Sequence, residues 1–168
     1  ERLIETFKNL IERELEILDK NRALRLVTEI DSFTRIFNRH TFFEKASAEL
    51  SRSIRYKHNF SLLLLDLDHF KKINDNFGHQ GGDSALLKFT DITKQQIRAC
   101  DLFGRYGGEE FILALPETDF SSATQLANRI RKAVETHQLP YGAKSISFTV
   151  SIGVSTNSGD TDIASMLE

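Results

Sequence analysis

Of the 168 residues, one is a cysteine, Cys100. An internal disulfide is therefore excluded, and the chain leans towards a reducing compartment. Proline occurs twice, and residues 1–30 contain neither proline nor glycine. There is no basic excess either: 22 Lys and Arg face 24 Asp and Glu, a net charge of -2. That leaves no electrostatic footprint for DNA, RNA or an anionic membrane surface. Long apolar runs are missing too. The longest aliphatic stretch, "LLLLDL" over 62–67, is far too short to span a bilayer. No signal-peptide pattern opens the chain, and no methionine does, which suggests a piece of a longer protein. Internal repeats and low-complexity segments are also lacking. What is present, 40% apolar and 27% charged residues, is ordinary for a globular protein and enough for one domain with an appendage.

The appendage is residues 1–30. Leu3, Leu10, Ile17 and Leu24 recur every seven residues, with Ile4, Ile11 and Leu18 beside them. The pattern predicts a helix with one apolar stripe, roughly 45 Å long at 1.5 Å per residue. Glu14 and Asn21 interrupt the seam, as polar residues do where they set register in a coiled coil. We read it as a stalk that pairs with a second copy, and the residues from 31 to 168 as the compact domain.

Within that domain "DSFT" opens with a capping-type Asp31 and Ser32, and a helix follows around Thr41 to Arg55. "FSLLLLDLD" predicts a buried strand, and "GGDSALLKFTDITKQQIRA" a helix starting after its glycines. "DLFGRYG" and "EFILALP" predict a hairpin, "FSSATQLANRIRKAVETH" a helix with Ser caps, and "ISFTVSIGVS" a second central strand. This order gives an α/β fold, an α+β sandwich of a central mixed sheet with helices packed on one face.

The chemistry-bearing residues cluster at predicted strand ends and turns. Asp66 and Asp68 close the leucine strand, where open α/β sheets place ligands. The turn "RYGGEEF" carries Gly107 and Gly108, which suit hairpin turns needing positive φ, followed by Glu109 and Glu110. Two adjacent carboxylates repel each other and resist burial, so a purely structural turn has little use for them. If the hairpin lies beside the leucine strand, Asp66 and Glu109 converge. Three or four carboxylates at one point require a cation, and oxygen donors without His or Cys select Mg²⁺ or Mn²⁺ over zinc. An EF-hand loop is rejected, because its fifth and sixth positions would be Phe70 and Lys71. Lys71 is placed to meet a triphosphate, and turn amides at His69 and Phe70 to hold phosphate oxygens. Asn74 and Asp83 offer an amide and a carboxylate. A carboxylate accepting from N1 and N2 of a purine prefers guanine.

"LLLLDLDHFKKINDNFGHQGGD", then "RYGGEEF", then "TVSIGVS" at 149–155 together resemble the GGDEF family of diguanylate cyclases, over residues 31–168. The resemblance implies a fold like the palm of nucleotidyl cyclases and polymerases, and the condensation of two GTP into cyclic di-GMP with release of two pyrophosphates. It implies Asp66, Glu109 and the Leu67 carbonyl as ligands to Mg²⁺ or Mn²⁺, two ions per active site. Glu109 would also help deprotonate the attacking 3′-hydroxyl, and Lys71 would stabilise the phosphates. Gly107 and Gly108 would admit the nucleotide, Asn74 and Asp83 would read guanine, His79 lies in the same stretch, and Glu110 binds near nucleotide or metal. "RACD" stands where the family carries its product-inhibition motif, so Arg98 and Asp101, with Arg129 from the next helix, would bind cyclic di-GMP. Two GTP-loaded copies must face each other, which implies a homodimer through the N-terminal helix, driven by an upstream sensor. The setting implied is bacterial cytoplasm, with the parent protein either soluble or membrane-associated.

Two departures from the family pattern stand out. "DSFTRIFNR" keeps Asp31, Thr34, Asn38 and Arg39 but has Phe33, Arg35 and Ile36 at the usual Leu, Gly and Leu positions. The chain also ends before the family's last helix, whose Lys and Arg contact the triphosphate, so the fragment itself is expected to be impaired. The alternative reading is a catalytically inactive domain that acts as a receptor for cyclic di-GMP or GTP.

Overall fold

A computed structural model describes residues 7–8, 11–15, 29–158 and 162–167. The paired stalk expected over residues 1–30 lies largely outside them. Residues 7–8 and 11–15 are helical, and Phe7, Ile11 and Leu15 are exposed.

The domain begins with helix α1, Arg39–Tyr56, capped by the Asn38 side chain, which accepts from the Thr41 amide at 2.9 Å. Asp31 caps no helix. Its Oδ1 accepts from the Thr34 amide and hydroxyl at 2.7 and 2.6 Å, closing a local turn. Strand β1, Phe60–Leu67, leads into helix α2, Phe70–Lys94, which is broken at Gly78 with φ 72° and ψ 173°. The hairpin of β2, Leu102–Arg105, and β3, Glu110–Pro116, follows. Helix α3, Phe120–Glu135, is capped by Asp119, whose side chain accepts from Ser122 N at 2.7 Å. The cap is thus the aspartate, not the serines after it. A small hairpin of β4, Leu139–Tyr141, and β5, Lys144–Ile146, precedes β6, Val150–Thr156, and a short 3₁₀ turn at Ser165–Leu167 ends the described chain.

The main sheet has the order β2-β3-β1-β6. All its strand pairings are antiparallel, and the parallel contact is an isolated bridge between Phe37 and Gly104. The "SIGVS" strand is therefore an edge among the described residues rather than a second central strand; β1 and β3 hold the centre.

Helices cover both faces of the sheet, not one. Side chains alternate along a strand, and β1 is apolar on both sides. Leu63, Leu65 and Leu67 join Phe89, Phe103, Phe111, Leu113 and Ile130 in one core, against α2 and α3. Phe60 and Leu62 join Phe42, Ala46, Leu50, Ile112 and Ala114 in another, under α1. A run of four leucines is what a strand with two buried faces requires.

Helix α2 starts well before the glycines, at Phe70, and runs on through Gly81 and Gly82. The sequence reading missed this because Asn, Asp and Gly in "NDNFGHQGGD" favour turns. Packing overrides them: Ile73 is buried, and Phe77 meets Tyr141 edge-on at 6.0 Å. Gly81 and Gly82 are buried close against Phe77 and Asn74, where a side chain has no room.

Candidate active site

The site is built where β1 and β3 end. Their register pairs Leu65 with Phe111 and Asp66 with Glu110. Leu67 N donates to the Glu109 carbonyl at 3.3 Å, so Glu109 stands one step further on, opposite Leu67. Directly opposed residues in an antiparallel pair share a face, which puts Asp66 beside Glu110 at the end of the sheet face that carries Leu62, Ile112 and Ala114. Sequence reasoning had Asp66 meet Glu109; the direct partner is the next residue. Among the described residues no three His, Cys, Asp or Glu side chains gather closely enough to cage a metal. Asp66 and Glu110 stand directly opposite each other and Glu109 adjoins them at the same sheet end, without closing a cage of three side chains.

The Gly107–Gly108 turn is closed by Tyr106 N and Gly107 N, which both donate to Glu110 O, at 2.9 and 3.2 Å. Neither glycine has positive φ, so the turn does not need them for their backbone angles. Space is the reason. A Cβ on Gly107 would lie 2.6 Å from Glu110 Oε2, while one on Gly108 would meet nothing within 4 Å. Gly107 makes room for a carboxylate of the site, and Gly108 leaves an open approach to backbone.

Just beyond the same end of β1, His69 adopts a left-handed conformation (φ 55°), and Lys72 N bonds its carbonyl at 2.8 Å. A non-glycine residue there is uncommon and mildly strained. The bend turns the chain sharply from strand into helix, so the open N-terminal amides of α2 begin only a few residues after Asp66. Lys71 is exposed on that first turn. Asn74 Oδ1 packs against Gly82, the residue before Asp83, across the break at Gly78. His79 is exposed just beyond it.

Asp68 serves the fold. Thr149 Oγ1 and Ser151 Oγ each donate to its carboxylate at 2.6 Å, and its own amide donates to Thr149 O at 2.9 Å. The Ser151 and Thr149 bonds hold its carboxyl below the ordinary value. It lashes the end of β1 to the start of β6, and it lines clefts of about 540 and 310 Å³ that include neither Asp66 nor Gly108.

A second cluster lies at the far edge of the hairpin. Arg98 N donates to Asp101 Oδ2 at 2.7 Å and Asp101 N to Arg98 O at 3.1 Å, a reciprocally closed turn. Burial pushes the Asp101 carboxyl up, against the lowering effect of the Arg98 amide and charge. Among the described residues no ion pair involves the Arg98 guanidinium, which is exposed. Arg129 Nε and Nη2 bond the Gln96 side chain and carbonyl at 3.0 and 2.6 Å. Gln96 was not foreseen; only its nearness to "RACD" pointed to it.

The family model described as "Diguanylate cyclase, GGDEF domain" matches residues 28–168. The chain belongs to the GGDEF family. This GGDEF domain is 39% identical over 163 residues to diguanylate cyclase A of Treponema denticola, covering 94% of this chain and 44% of that protein. It is 38% identical over 134 residues to the response regulator PleD of Caulobacter vibrioides, covering 79% of this chain and 30% of that protein. It thus spans less than half the length of these two curated relatives. Among solved structures, the active GGEEF domain of a diguanylate cyclase from Vibrio cholerae matches it with TM-score 0.73 at 34% identity, over 77% of this chain and 83% of that one. The diguanylate cyclase SiaD from Pseudomonas aeruginosa, solved with its activator SiaC, matches with TM-score 0.78 at 32% identity, over 99% and 67%.

Proposed function

We propose that the protein is a diguanylate cyclase, which joins two GTP into cyclic di-GMP. The observation that carries this reading is the β1–β3 register that sets Asp66 opposite Glu110, beside an open Gly108, in a chain of the GGDEF family. The donor set fits a hard divalent cation. Asp66, the Leu67 carbonyl and Glu109 offer oxygen alone, which suits Mg²⁺ or Mn²⁺. A site without a closed cage suits such an ion, since it keeps water and takes further ligands from phosphates; we assign two per site. Held there, such an ion would supply Lewis acidity, lowering the pKa of the attacking hydroxyl and neutralising charge at the α-phosphate.

Glu109 takes the proton of the 3′-hydroxyl as that oxygen bonds to the α-phosphorus of the facing GTP. The bond from that phosphorus to the β-phosphate oxygen breaks, and pyrophosphate leaves with the electron pair. The step repeats with the two nucleotides exchanged. Lys71 and the amides at His69 and Phe70 hold phosphate oxygens as charge builds. Asp83 accepts from N1 and N2 of guanine and Asn74 faces the same base; the packing of Asn74 against Gly82 supports this shared role. His79 and Glu110 border the nucleotide.

Each site holds one GTP, so two copies work face to face across a two-fold axis. The N-terminal helix pairs them under an upstream sensor, in the cytoplasm of a bacterium. Among the described residues no helix is long and apolar enough to cross a membrane. Full-length protein given GTP and Mg²⁺ yields cyclic di-GMP on chromatography, and EDTA stops it. Binding of GTP without any product would favour the receptor reading instead.

Arg98, Asp101 and Arg129 bind the product and slow the enzyme. The exposed Arg98 guanidinium, which among the described residues makes no hydrogen bond or ion pair, supports this, since a bidentate phosphate contact needs an unspent fork. Arg98→Ala is expected to weaken cyclic di-GMP binding roughly tenfold to a hundredfold, the loss of about 1.5–3 kcal/mol for a bond to a charged group. Calorimetry measures this, and turnover then continues at product levels that stop the parent protein.

A further inference from the structure

The residue immediately before the glycine turn, Arg105, spends its whole guanidinium on that turn and on the segment that enters the domain. Nε donates to Gly107 O and Gly108 O, both at 3.3 Å, and Nη2 donates to Gly108 O at 2.8 Å. Nη1 meets Asp31 Oδ1 at 3.3 Å, and the Phe33 ring backs the group with its centroid 5.5 Å away. Both charged side chains are largely shielded, at 21% and 23% exposure, so the pair is screened less than an open surface bridge. Asp31 is itself fixed by Thr34, which is buried. Burial alone would raise its carboxyl, but the Thr34 bonds and Arg105 outweigh this and lower it.

The turn has little else to hold it. Gly108 has no side chain and open space above its Cα. The turn's own backbone bonds run to Glu110 O, and Glu109 O is taken by Leu67 N. Among the described residues the Gly107 and Gly108 carbonyls accept from Arg105, and those carbonyls set the peptide planes leading to Glu109. Meanwhile Arg105 N donates to Phe37 O at 2.9 Å and Phe37 N to Phe103 O at 3.1 Å, which stitches the entering segment along β2.

We propose that Arg105 is a positioning residue for catalysis, its guanidinium braced on Asp31 and Phe33 and clamping the Gly107 and Gly108 carbonyls so that Glu109 is presented in one orientation. The clamp ties the turn entering the domain to the turn that does the chemistry, so a shift of the first is felt at the second. This rests on the reading of Glu109 as a residue of the site. Lysine keeps the charge but has no rigid fork to reach two carbonyls and a carboxylate at once.

The test uses the full-length protein with Arg105→Lys, Arg105→Ala and Asp31→Asn. In Arg105→Lys, kcat falls roughly tenfold to a hundredfold, as expected for a misplaced catalytic group, while KM for GTP changes less than about threefold. Hydrogen exchange at the Gly108 and Glu109 amides speeds up in all three variants, least in Asp31→Asn, which keeps the glycine contacts. A purely structural arginine would lower the melting temperature and leave kcat per folded molecule and those exchange rates alone. Either that pattern or a fully active Arg105→Lys overturns the proposal. If Arg105→Ala fails to fold, the lysine and Asp31 variants decide. If the parent protein makes no cyclic di-GMP, the reading of the site falls, and the exchange rates still report whether the clamp holds the turn.

Discussion

Replacing Asp66 by Asn, or Glu109 by Gln, lowers cyclic di-GMP synthesis by roughly a hundredfold to a thousandfold or more and leaves the domain folded. Each change swaps an oxygen anion for a neutral amide of the same shape, so what is lost is charge where the proposed mechanism brings a metal and an α-phosphate together. Removing one group aimed at transition-state charge costs about 10²–10³ in turnover, and losing a metal's Lewis acidity costs several kcal/mol. Asp66 is exposed at the strand end and contributes nothing to either core. Glu109 is half-buried in the turn but belongs to neither core, so the melting temperature of both variants should stay near that of the parent, within about 0.5 kcal/mol for the exposed Asp66. Product formation by chromatography and thermal melting, run side by side, check this. Glu110→Gln is the informative neighbour: it removes the register partner of Asp66 while leaving Glu109, and it ranks the two adjacent carboxylates.

Phe111→Ala is expected to be the most damaging change to the fold, at about 3–5 kcal/mol. Phe111 is fully buried, one residue beyond Glu110, with its ring centroid 4.7 Å from Phe89 and 5.9 Å from Phe103. It therefore joins α2 and β2 to the central strand that carries the turn. Such a loss corresponds to a fall in melting temperature on the order of 10 °C for a domain of this size. Denaturant unfolding measures it directly. Leu87→Ala is the contrast: Leu87 is 41% exposed and its removal should cost under about 0.5 kcal/mol. A Phe111→Ala protein as stable as the parent would mean that the two-core description is wrong.

These two residues also mark what the letters alone disclose. The run Leu62 to Leu65 reads as a buried strand because nothing else buries four leucines in a row, and Asp66 is legible as its polar end. "GGEEF" reads as a turn between strands from its glycines and flanking apolar runs. What stayed hidden was register. No periodicity tells whether Asp66 faces Glu109 or Glu110, because that is decided by hydrogen bonds between strands far apart in sequence. The start of α2 was hidden for a different reason: Asn74, Asp75 and Gly78 favour turns locally, and the burial of Ile73 and the contact of Phe77 with Tyr141 override them. Helices on both faces went unread, although Leu62 and Leu63 point opposite ways along the strand and each needs a cover. Arg105 went unread although it stands two residues before the glycines, because an arginine beside a turn looks like a solvated charge until its partner, Asp31, arrives from 74 residues away.

The central claim is that a divalent cation and GTP meet where β1 and β3 end. Nuclear magnetic resonance of the protein with a non-hydrolysable GTP analogue, titrated with Mn²⁺, tests it most directly. The account predicts that paramagnetic broadening falls first on the amides of Asp66, Leu67 and residues 107–110, and that Asp66→Asn abolishes it. Broadening centred elsewhere, with residues 66–67 and 107–110 left sharp, would contradict it.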